Sequence, residues 1–162
     1  MDAFIILLAD GAIIPIALLS AYALVWKVPK KQRFEAYCRI LMAGLTAYLI
    51  AKLLSAVVPA GERPFQALGL APGASYLDNP GFPSDHALFA TFLTLAVLFE
   101  TRQKTITIIL VILTLVVGVG RILALVHTPL DVVGGIVVAM LGALWYLQGS
   151  SASLGKKRKK VV

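Results

Sequence analysis

The sequence predicts an all-α protein, a single bundle of about five membrane-spanning helices, and three observations carry that expectation. Hydrophobic residues make up 59% of the 162 residues and charged residues only 14%. Soluble domains stay near about 45–50% apolar. Continuous apolar runs recur at lengths close to the ~20 residues that cross a bilayer. The basic residues gather in the gaps between those runs. A soluble helical domain with a large core fails on run length. A membrane barrel fails because the runs are continuous rather than alternating.

The first span is read from about Ala3 to Trp26, with a possible break at Asp10-Gly11. The second runs from Ile40 to Val58 and the third from Ser84 to Phe99. The fourth covers Thr105 to Leu125 and the fifth Pro129 to Leu147. One long loop, Pro59 to Pro83, holds five of the eight prolines. No internal repeat appears, so residues 1–150 are expected to form one domain, followed by a basic tail at 151–162. The start Met1-Asp2-Ala3-Phe4 lacks the basic segment of a signal peptide, so the first apolar run is read as retained. Cys38 is the single cysteine, which rules out an intrachain disulfide. Small residues along the fifth span (Gly134, Gly135, Ala139, Gly142) permit close packing against a neighbour in this chain or in another copy.

A net charge of +7 suggests nucleic acid until the charges are placed. Lys27, Lys30, Lys31, Arg33 and Arg39 lie between spans one and two. Arg102 and Lys104 lie between spans three and four, and Lys156 to Lys160 follow span five. In a five-span chain these segments share one side, and the excess of lysine and arginine makes it the cytoplasm. The N-terminus then lies outside. Three cations remain, Lys52, Arg63 and Arg121, all near the outer ends of spans or in the outer loop. Charges at membrane depth are costly and mark function.

Both histidines fall on that outer side. His86 stands in Pro83-Ser84-Asp85-His86, where span three begins, and His127 lies between spans four and five. Spans three and five both start outside, so their free N–H groups and helix dipoles favour an anion there. Ser84 reads as an N-cap. Thr128-Pro129-Leu130-Asp131 reads as an N-cap, a proline at the first helical position and an acid that turns back toward His127. A carboxylate on one imidazole nitrogen fixes the tautomer and frees the other to attack. Singly, these residues have plainer readings: a packed histidine, a snorkelling arginine or lysine, a topology signal. Their placement on one side is what points to a site.

These segments resemble the signature of the type 2 phosphatidic acid phosphatase superfamily. They are Lys52 with Arg63-Pro64, then Pro83-Ser84-Asp85-His86, then Arg121 with five residues before His127-Thr128-Pro129-Leu130-Asp131. The resemblance spans roughly residues 52 to 140. Lys52 and Arg63 stand farther apart than in many members, Gly120 replaces a common serine, and Asp85 replaces a common glycine. The resemblance implies that His127 is the nucleophile and forms a phosphohistidine, that Asp131 orients it, and that His86 protonates the leaving group. It implies that Lys52, Arg63, Ser84 and Arg121 hold phosphoryl oxygens. Asp85 is assigned to the same binding group, expected to pair with Lys52 or Arg63. Phosphoryl transfer asks mainly for positioning and neutralised oxygens. An imidazole titrating near about 6.5 serves as nucleophile or acid.

The expected function is hydrolysis of a lipid phosphate or diphosphate at an outward-facing site in the plasma membrane, with no metal, no cofactor and no nucleic acid. The Pro-Ser-Asp-His form resembles that of bacterial undecaprenyl-diphosphate phosphatases of the bacitracin-resistance type, which favours an isoprenyl diphosphate. Phosphatidylglycerol phosphate, phosphatidate and lipid A are the alternatives within the superfamily. A channel or lipid scaffold is the non-enzymatic alternative, and apolar helices below the site argue against a pathway. A zinc hydrolase lacks the ligands. Oligomeric state stays open.

Overall fold

A computed structural model describes residues 3–59 and 61–147, so the basic tail expected at 151–162 lies outside the described residues. Their regular structure is all helical, with no strand among the described residues. The first span comprises α1 (Ala3–Ile6), a π-helical turn over Leu7–Gly11, and α2 (Ile13–Trp26). A 3₁₀ turn at Lys30–Gln32 leads into α3 (Arg33–Val57). A one-turn helix α4 (Pro64–Ala67) sits in the long loop. Three helices follow: α5 (Asp85–Thr101), α6 (Lys104–Leu123) and α7 (Pro129–Gly142). Four helical stretches, Ala3–Trp26, Lys30–Val57, Lys104–Leu123 and Pro129–Leu147, are long and apolar enough to cross a membrane. With 17 residues, α5 is shorter than any of these four stretches.

Each expected span is present as a helix with shifted edges, and four of the five are long and apolar enough to cross a membrane, the exception being the third, α5. Span two begins at Arg33 rather than Ile40, because hydropathy marks where lipid begins and not where a helix does. Span four ends at Leu123, since Leu125 takes a left-handed φ of 57° that turns the chain toward His127. The break foreseen at Asp10-Gly11 is the π turn.

Packing here inverts that of a soluble protein. The buried positions are mostly small: Ala9, Ala23, Ala43, Ala47, Ala90 and Ala139 are all essentially inaccessible. Large side chains such as Leu18, Leu41, Leu53, Ile108, Leu115 and Leu130 point outward and are exposed. Water would penalise that surface, whereas lipid does not, and small residues let helix backbones approach. The chain is therefore an integral membrane bundle.

At the centre stands α5, packed against α2, α6 and α7, while α3 packs on α7. The small stripe of span five finds its partners inside the chain. A Cβ on Gly135 would stand 2.5 Å from the Ser84 carbonyl oxygen of the α5 N-cap. One on Gly142 would stand 2.5 Å from the Ala43 carbonyl oxygen of α3. Hydroxyls add polar links: Thr94 of α5 and Thr114 of α6 share a 3.0 Å hydrogen bond. At the opposite end of α5 from His86, Arg39 donates to both Glu100 oxygens at 2.7 Å each. That bidentate clamp holds α3 to α5.

Candidate active site

Two helix starts meet at one end of the bundle. Ser84 is fully buried and caps α5, its Oγ accepting from Ala87 N–H at 3.5 Å. Its own N–H donates to the Asp131 carbonyl oxygen at 2.9 Å, which ties the start of α5 to the start of α7. The α7 cap has the reciprocal form that the sequence signals. Thr128 Oγ1 accepts from Asp131 N–H at 3.2 Å, and Asp131 Oδ2 accepts from Thr128 N–H at 2.7 Å. The same Oδ2 lies 3.6 Å from His127 Nδ1. His127 is buried, and its Nδ1 has no closer polar partner. Apo geometries of this kind tighten when a substrate is seated.

Arg63, Asp85, His86, Arg121 and His127 line one cavity of about 250 Å³ together with Ser75, Tyr76, Leu77 and Asn79. Of the sequence-nominated residues, Asp131 and Ser84 stand behind this wall and position it. Lys52 is not brought to it. Its side chain is exposed on α3, with the ammonium 5.4 Å from the Tyr48 ring centroid. A larger groove of about 460 Å³ runs along α3 and Phe92 of α5, walled by apolar and aromatic side chains such as Leu41, Leu45 and Tyr48. It offers no acid, base or cation.

Arg63 is committed locally. Its Nη1 donates to Val126 O at 2.6 Å, and its Nη2 to Leu77 O at 2.8 Å and Asn79 Oδ1 at 2.7 Å. Its guanidinium also faces the Tyr76 ring. It thus clamps the long loop to the turn that carries His127. The expected pairing of Asp85 with Lys52 or Arg63 does not form, because both cations have other partners and Asp85 makes no ion pair among the described residues. Asp85 lines the cavity from the first position of α5.

The structure adds a residue that the motifs do not contain. Asp10, on the π turn of the first span, accepts from Arg121 Nη1 at 2.7 Å through Oδ1. Its Oδ2 accepts from the Ser75 backbone N–H at 2.9 Å, and Oδ1 lies 3.8 Å from His86 Nε2. The signal for it was a lone carboxylate inside a 24-residue apolar span. Among the described residues, no three His, Cys, Asp or Glu side chains gather in a way that could hold a metal ion.

Comparison with known proteins fits this arrangement. The chain is 32% identical over 143 residues to the undecaprenyl-diphosphatase BcrC of Bacillus subtilis, covering 87% of this chain and 70% of that protein. It is 29% identical over 107 residues to the bacitracin transport permease protein BcrC of Bacillus licheniformis, covering 63% of this chain and 51% of that one. No solved structure matches. The family model described as the PAP2 superfamily matches residues 35–153, which includes every wall of the cavity, and the chain belongs to that superfamily.

Proposed function

We propose that the chain is a membrane lipid phosphatase that hydrolyses an isoprenyl diphosphate, undecaprenyl diphosphate in the first instance, to the monophosphate. The observation that carries this reading is the cavity itself. It joins a carboxylate-backed imidazole (His127 on Asp131), a second imidazole (His86) and a buried guanidinium (Arg121) at the mouth of an apolar bundle. The name borne by the Bacillus subtilis relative supports the diphosphate over other lipids.

Asp131 on Nδ1 leaves the lone pair on His127 Nε2 for the terminal phosphorus. The N–P bond forms as the bond from phosphorus to the bridging oxygen breaks, and His86 gives that oxygen its proton. Water then attacks the phosphohistidine and loses a proton to His86. Inorganic phosphate leaves and His127 is free again. Arg121 and the two helix starts neutralise the phosphoryl oxygens. No step calls on a metal. Residues 1–150 act as one domain. The site faces outward, with the chain ends of the substrate left in the bilayer. At 17 residues α5 rises roughly 25 Å against a hydrocarbon core of about 30 Å, which puts His86 at or just below the interface.

The test is phosphate release in detergent with excess chelator, across undecaprenyl diphosphate, phosphatidate and phosphatidylglycerol phosphate. The expected kcat/KM for the isoprenyl diphosphate exceeds the others by about tenfold or more, a margin equal to one misplaced polar group. Higher values for a glycerolipid would reassign the substrate, and loss of activity restored by zinc or magnesium would reject the metal-free scheme.

Sidedness is read separately. In a Cys38→Ser background, needed because Cys38 is exposed, Gly61→Cys should react with an impermeant thiol reagent in intact cells. Gly61 has open space around its Cα, so the substitution is benign. Lys31→Cys should be protected until the cells are opened. The reverse pattern would turn the protein over.

A further inference from the structure

Asp10 has no part in the reaction just described, yet its carboxylate meets three separate elements. It takes a hydrogen bond from Arg121 of α6 at 2.7 Å and one from the Ser75 backbone of the long loop at 2.9 Å. It also stands 3.8 Å from His86 Nε2 of α5. The fold is shaped to bring it there. A π turn carries the extra residue that aims Asp10 at α6, and such turns recur at functional positions. Gly120 admits the first span at the closest range, since a Cβ there would lie 2.7 Å from the Ala9 nitrogen.

Arg121 is 1% exposed, whereas the Asp10 side chain remains 26% exposed. Asp10 also occupies only one of the guanidinium nitrogens. Nε of Arg121 is buried without a partner, and the residue lines the cavity. The cation is thus held on one side and unspent on another. Around it stand Arg63, His86, His127 and Asp85, all on the cavity wall. A phosphate entering this cavity meets the positive charge of Arg121 with a fixed negative charge directly behind it.

We propose that Asp10 is a built-in counter-charge of the phosphate site, a positioning residue that holds Arg121 and weakens the grip of the site on free phosphate. It rests on the reading of the cavity as a phosphate site. Two effects of one carboxylate follow. Fixing Arg121 beside His86 favours turnover, because the donors need no reorientation when charge shifts to the leaving oxygen. Partial cancellation of the Arg121 charge lets inorganic phosphate leave after the second step. Without Asp10, Arg121 would meet the phosphate at full charge and hold the product more tightly.

Removing the charge should therefore move binding and turnover in opposite directions. Asp10→Asn is expected to tighten equilibrium binding of inorganic phosphate by about tenfold, the scale of one unit charge a few Å away in a partly wet site. Turnover of undecaprenyl diphosphate by the same variant should fall by about tenfold or more. Asp10→Glu keeps the charge and should hold phosphate affinity within about twofold of the parent, since the Coulomb term changes little over the added length. Phosphate is titrated against detergent-purified protein by calorimetry, which needs no turnover. A parent that binds phosphate but cleaves no lipid would reject the proposed function and leave this inference to stand or fall on the binding data. Weaker or unchanged phosphate binding in Asp10→Asn would overturn it, as a role in folding alone would produce. So would a large affinity change in Asp10→Glu, which also covers the case in which Asp10→Asn does not fold.

Discussion

Replacing His127 by alanine is expected to lower turnover by about 10⁴-fold or more, the usual scale for a nucleophile that acts as one unit with its orienting acid. The acid-labile phosphoenzyme should vanish with it. His127 is buried, so the alanine leaves a small void but removes no hydrogen bond closer than the 3.6 Å approach to Asp131. Folding should therefore survive, and the loss reports chemistry. Asp131→Asn separates two jobs. Its side-chain oxygen can still accept from Thr128 N–H, the 2.7 Å cap of α7, so the thermal midpoint should stay close to the parent's. The same oxygen still faces His127 Nδ1 but has lost its charge, so it no longer stabilises the positive imidazole that attack creates, and kcat should fall by about 10²-fold or more while KM moves little. Asp131→Ala loses the cap as well and should cost about 1 kcal/mol of stability. Rapid quench with substrate labelled on the terminal phosphate reads all three. A phosphoenzyme that persists in His127→Ala would move the nucleophile elsewhere.

What the sequence revealed and what it hid follow from range. The caps of α5 and α7 and the approach of Asp131 to His127 lie within a few residues of one another, so spacing alone predicts them. The spans were legible because lipid demands long apolar runs whatever the tertiary fold. Asp10 pairs with a residue 111 positions away. Nothing local announces that partner, and the pairing depends on a π turn and on the bare backbone of Gly120. Lys52 shows the complementary case. Motif order puts it in the site, but α3 packs through Ala43, Ala47 and Ala51, and Lys52 is one residue past that face. A rotation of about 100° per residue turns it outward, toward Tyr48. Arg63 lines the cavity, and its donors are also held locally. Carbonyls of the loop and of Val126 consume its donors, and carbonyl acceptors leave no mark in a sequence.

Arg121→Lys should be nearly as damaging as loss of the acid, although charge and helix propensity are kept. Arg121 is almost wholly buried and bonded to Asp10, and under the proposed function it serves the substrate at the same time. Its planar fork does so because separate nitrogens point in fixed, different directions. A lysine ammonium is a single point. It can approach Asp10 or a phosphoryl oxygen, and the preformed carboxylate will hold it. The expected loss in kcat/KM is about 10²–10³-fold, the range seen when one fixed donor to a developing anion is removed. Arg121→Ala should lose more, because it also leaves the Asp10 carboxylate facing an incoming phosphate with no cation between them. Adding Asp10→Asn to Arg121→Ala removes that repulsion, so the double variant should recover part of what Arg121→Ala lost. Additive losses would mean that the two side chains act independently. The measurement is kcat/KM from phosphate release in detergent for the parent, the three single variants and the double. Thermal midpoints for each separate folding from function. An Arg121→Lys enzyme within about threefold of the parent, well inside the loss expected for one fixed donor, would show that charge alone suffices and that the fork geometry is idle.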